Sequence, residues 1–67
     1  MSDYDIVNIE KREIQDFINI DHGSEKVRLG MFQNYTNTSI RMTPEQAREV
    51  AEVLKKHAQA IDDQQPF

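Results

Sequence analysis

Within five consecutive positions the chain carries Asp21, His22, Ser24 and Glu25, the residue types a hydrolytic site uses. A nucleophile, a base and an orienting carboxylate must converge on one substrate atom, and close neighbours on a tight turn do not easily do so. Asp21-His22-Gly23-Ser24-Glu25 also has the make-up of a hairpin connection, in which Asp, Gly and Ser serve the backbone and Gly23 is free to take positive φ. Glu10, Glu13 and Asp16 form a second acidic group, but no other ligand type stands near them to support a metal. His57 falls at the edge of a helical stripe, the place of a boundary or interface histidine. Cysteine is absent, which removes disulfides and thiolate metal sites. These residues point away from catalysis, and no cofactor is expected.

The elements that must position them read clearly in part. Thr43-Pro44-Glu45-Gln46 is a helix start, with Thr43 as N-cap, Pro44 at the first helical position and Gln46 closing a capping box. Beyond it Ala47, Val50, Ala51, Leu54, Ala58 and Ile61 recur at three- and four-residue steps and form one apolar stripe. Glu45, Arg48, Glu49, Glu52, Lys55 and Lys56 take the other side, with Glu52 and Lys56 spaced for an ion pair. The helix is expected from Thr43 to about Ile61.

Upstream the period drops to two. Val27, Leu29 and Met31 alternate with Lys26, Arg28 and Gly30, and Ile14, Ile18 and Ile20 with Gln15, Phe17 and Asn19. Asp16 interrupts the apolar side. Asn34-Tyr35-Thr36-Asn37 is a second polar turn, leading to a strand with Thr38, Ile40 and Met42 on one side. Tyr4 to Ile9 reads as a fourth strand in preference to a helix, which would set Glu10 and Glu13 on an apolar stripe. The expected fold is α+β: an antiparallel sheet of three or four strands, then one C-terminal amphipathic helix closing a face of the sheet. Residues 1–61 form one domain and residues 62–67 a flexible tail.

With 67 residues, such a domain buries only about 60% of the surface its unfolded chain exposes. Small domains draw extra stability from disulfides, a metal or a partner chain. The first two being disfavoured here, a homodimer is expected, with Val53, His57 and Ala60 extending the helix's apolar surface as interface candidates. The net charge of −4 argues against a general duplex-DNA binder. No apolar run approaches the ~20 residues of a membrane helix, and a cytoplasmic location, host cytoplasm for a phage-encoded chain, is the plain expectation.

If the apolar sides are inner ones, Phe17, Lys26, Arg28, Phe32, Ser39 and Arg41 share the outer face, with Tyr35 at its rim. Aromatics interleaved with cations can stack bases along a single strand. The same residues can form the centre and rim of a protein interface, which the overall acidity favours.

The stretch Lys26-Val27-Arg28-Leu29 through Thr38-Ser39-Ile40-Arg41-Met42-Thr43-Pro44-Glu45-Gln46 resembles the transcriptional-coactivator family of single-stranded DNA-binding domains. The resemblance implies a curved sheet running into a helix, and helix-paired dimers. This chain has fewer strand lysines than that family and a negative charge. The terminal Asp62, Asp63, Pro66 and Phe67 are similar to the acidic Pro-Phe tip of bacterial single-stranded DNA-binding protein. That likeness implies a docking tail whose final ring and carboxylate are read together by a partner. The expected function is a small protein-interaction module, a phage or bacterial accessory protein that modulates or inhibits a host protein. The alternative is a dimeric binder of single-stranded nucleic acid.

Overall fold

The structure, a computed structural model, describes residues 4–11 and 13–64. Four strands, β1 (Tyr4–Lys11), β2 (Gln15–His22), β3 (Val27–Gln33) and β4 (Thr36–Met42), precede one helix, α1 (Pro44–Gln64). The strands form a single antiparallel meander in the order β1-β2-β3-β4. Residues that face each other across antiparallel strands share a side of the sheet. Val7, Ile18, Met31 and Thr38 lie in one such row, and Asp5, Ile20, Leu29 and Ile40 in another, with Asp5 at its β1 edge. These rows make an apolar inner face, as the two-residue period implies. On the other side the rows are Asn8-Phe17-Phe32-Asn37, Ile6-Asn19-Gly30-Ser39 and Tyr4-Asp21-Arg28-Arg41.

Asp16, the break in the apolar pattern, stands opposite Glu10 just past a bulge at which Ile9 has no cross-strand partner. The extra residue shifts the alternation locally, so β1 carries Glu10 to the side of Asp16.

Thr43 alone joins β4 to α1 and caps it as its sequence implies. The Gln46 backbone N–H donates to Thr43 Oγ1 at 3.2 Å, and the Thr43 N–H donates to Gln46 Oε1 at 2.9 Å. The helix runs three residues past Ile61, so Asp62 and Asp63 lie on it, where the sequence suggests a tail. Gln59 Nε2 donates to Asp63 Oδ1 at 3.0 Å and holds that last turn. The ion pair on its polar side joins Lys55 to Glu52, with Lys56 not involved.

Two expectations are corrected. The helix does not close the sheet. It meets the sheet chiefly at β4, buries Met42 there to 8% exposure, and has no buried residue of its own. Exposure then climbs along it, from 38% at Val50 to 48% at Val53 and 63% at Leu54. One covalent joint, Thr43, and one contact strand, β4, set its direction.

The second correction concerns the turns. Gly23 does not adopt positive φ; Asn34 and Tyr35 do, at 51° and 63°. The connection after β2 is wide enough for ordinary dihedrals, with the Gly23 N–H donating to the Lys26 carbonyl at 3.0 Å. The β3–β4 loop has only two residues between the paired Gln33 and Thr36, and the twist of a two-residue hairpin demands left-handed backbone at both. Asn tolerates that region and Tyr resists it. Tyr35→Gly should therefore stabilise the domain by about 0.5–1 kcal/mol, the relief of Tyr strain less the added freedom of the unfolded chain. A thermal melt lower than that of the parent would contradict this assignment of strain.

Candidate partner-binding face

Alternation along β2 decides the fate of the Asp21-His22 pair. Asp21 projects to the outer face in the row of Arg28 and Arg41, whereas His22 belongs to the inner-face row of Val27 and Met42. Adjacent strand residues diverge, so the two do not converge on one substrate atom. Ser24 and Glu25 lie in the bend that follows. Of the acidic trio, Glu10 and Asp16 face each other across β1 and β2, and Glu13 sits in the bend between those strands. No group of three or more His, Cys, Asp or Glu side chains able to hold a metal occurs among the described residues.

The outer face assembles Phe17, Arg28, Phe32 and Arg41, with Ser39 between its rows. Lys26 stands just before β3, at the same end as Arg28 and Arg41, and Tyr35 lies in the far turn, exposed. Phe17 and Phe32 are directly opposed, and their rings stack on each other with centroids 5.0 Å apart and planes 12° from parallel. Each ring thus gives one of its faces to the other. Asn8 flanks Phe17 and Asn37 flanks Phe32 in the same row. What remains for a ligand is the ring edges and one face of each ring, a narrower platform for a column of bases than two separate rings would offer.

Arg28 is committed as well. Its Nε and Nη2 donate to Asp21 Oδ1 and Oδ2, each at 2.8 Å, in a bidentate pair. Read from the sequence, Asp21 belongs to the connection and this bridge is not visible; the strands in fact pair up to His22 and Val27, which sets Asp21 against Arg28. The hydrogen bonds from Arg28, helped by its charge, hold the Asp21 carboxyl below the ordinary aspartate range, and Asp21 raises Arg28 in return. A depressed carboxylate pKa contributes stability above the unfolded value and loses it as pH falls through the folded one. This contribution should accordingly begin to fade near the ordinary aspartate pKa and be gone below the folded one, and the acid limb should be shallower in Asp21→Asn. Thermal melts between pH 7 and pH 2 would test this, and identical acid limbs for the two proteins would refute it.

At the edge beyond β4 the groove between strand and helix measures about 520 Å³ and is lined by Ile40, Met42, Val50, Val53 and Leu54, among others. Its apolar lining continues the open inner face, where Val7, Ile9 and Met31 are exposed. Val53 belongs to it, while His57 and Ala60 lie further along the exposed helix. Among the tail residues, Asp62 and Asp63 are helical, and Pro66 and Phe67 lie outside the described residues. No described helix is long and apolar enough to cross a membrane. Comparison with protein-family models, with curated proteins and with solved structures finds no match.

Proposed function

We propose that the chain is a non-enzymatic protein-interaction module that works as a homodimer and modulates a partner by occupying its surface. The observation that carries this is the uncovered apolar surface of α1 and the inner face. The accessible surface is 6022 Å², against about 4,400 Å² for a compact monomer of this mass. The radius of gyration is 14.2 Å, against about 11 Å for a compact chain of this length. An excess of about 1,600 Å² per copy would give a pair burying about 3,200 Å², within the range of obligate homodimers. Association through the helix and inner face leaves both outer faces free.

Those outer faces are assigned to a protein in preference to a nucleic acid. The phenylalanine rings spend a face on each other, Arg28 is neutralised by Asp21, and the chain carries a charge of −4. A single strand needs open ring faces and a continuous cationic track. Light scattering at micromolar concentration tests the dimer, and a stable, cooperatively melting monomer would overturn it. Titration with single-stranded oligonucleotide at low salt tests the choice of partner, since tight binding there would transfer the outer face to nucleic acid.

A further inference from the structure

At one end of the outer face Lys26, Arg28 and Arg41 gather at a concave corner. Gly23, Ser24, Glu25, Lys26, Arg28 and Arg41 line a depression of about 400 Å³. Arg28 and Arg41 are directly opposed across β3 and β4, an arrangement that destabilises a sheet unless an anion answers it. Asp21 answers Arg28 from the β2 side and fixes its guanidinium through Nε and Nη2, leaving Nη1 unused by that bridge. Lys26 and Arg41 have no carboxylate partner among the described residues.

We propose that this corner is a carboxylate-recognition site, which receives an acidic side chain of the protein partner. The proposal rests on the protein-binding role above and names the chemistry of the partner. Lys26, Arg28 and Arg41 stand against Asp21 and Glu25, so the corner has one net positive charge, matched to a single carboxylate. A phosphodiester strand would instead meet Asp21 and Glu25 in the same corner as the cations, with no continuous cationic track beyond it. Arg28, already oriented, loses little freedom on binding, and Arg41 supplies the free fork for a bidentate contact.

The same face sets a spacing. Phe32 lies four residues along β3 from Arg28, about 13 Å away in an extended strand. Gly30 between them adds no side chain of its own, and the Asn19 amide and Arg28 Nη1 pack over it, so the floor between the two ends is filled level by those groups. An extended partner segment would place its carboxylate at Arg41 and an apolar side chain four residues away on the Phe17–Phe32 stack, both pointing the same way.

The test uses the full chain, labelled for amide NMR, and two capped synthetic pentapeptides. One has Glu at one end, Leu at the other and Thr-Val-Thr between; the second replaces Glu with Gln. The Glu peptide should shift the amides of Lys26, Gly30 and Arg41, and both the Gln peptide and the Arg41→Gln protein should weaken binding about ten-fold. Lys56→Gln, on the polar side of α1, should bind as the parent does. Equal binding of the two peptides would overturn the site, and so would an oligonucleotide that shifts these amides where the Glu peptide does not. Light scattering on the same samples keeps the two levels apart: a dimer that ignores the Glu peptide refutes the corner alone, and a monomer refutes the assembly proposed above.

Discussion

If α1 carries the proposed dimer interface, Leu54→Asp should convert the protein to a monomer at concentrations where the parent associates. Leu54 stands at the middle of α1 and is 63% exposed, on the part of the helix that has left the sheet. Ala47, Ala51, Ala58 and Ile61 continue its stripe in both directions, alternating small residues with large ones so that a second helix could approach closely. Covering one leucine contributes about 1.5–3 kcal/mol, and two-fold symmetry makes each substitution count twice. The dimer should lose about 3–6 kcal/mol before any cost of burying aspartate, weakening its dissociation constant by about 10² to 10⁴. Lys55→Asp, one position round the helix on its charged side, should leave assembly unchanged. Leu54→Ala separates loss of area from introduced charge and should give an intermediate affinity. If Leu54→Asp scatters as a dimer with unchanged affinity, α1 is not the interface.

The reason this surface lies open also explains what the sequence could and could not disclose. Periodicity identifies which side of an element is apolar; it says nothing about what covers that side. The two-residue alternation of Val27, Leu29 and Met31 and the capping box of Thr43 and Gln46 are local signals, and the strands and helix start follow from them. The decision between a self-covered sheet and one awaiting another surface depends on the direction in which α1 leaves Met42, which no local pattern encodes.

Turn chemistry was legible only by type. Gly23 and Asn34-Tyr35 both announce connections. Which of them needs left-handed backbone depends on how many residues remain after the strands have paired, and hence on register. Register also creates the Asp21–Arg28 bridge and the Phe17–Phe32 stack. The sequence places those aromatics on the outer face, but their mutual stacking, which takes a face from each ring, appears only once β2 and β3 are aligned. The partner assignment of that face turns on such pairings.

Gly30→Ala should destabilise the domain, although a glycine inside a strand is ordinarily a weakness that alanine would relieve by about 0.5–1 kcal/mol. Gly30 has no positive φ to protect, so its need is one of space. A Cβ there would run into the Asn19 side-chain amide and approach Arg28 Nη1 to 3.0 Å. Asn19 faces Gly30 directly across β2 and β3 and is buried to 4% exposure, so it has little room to retreat. Arg28 is tied to Asp21 at two points. Overpacking of this kind costs about 1–3 kcal/mol, enough to lower the melting temperature of a domain this small by at least about 4 °C. The double variant Asn19→Ala with Gly30→Ala removes the obstructing amide and should recover most of the loss, giving a coupling energy of the sign expected for residues in contact. The recovery matters more than the loss, since any strand substitution can destabilise, whereas only the close approach of Asn19 makes its removal beneficial. A Gly30→Ala protein at least as stable as the parent would mean that the floor of the outer face is not close-packed as described.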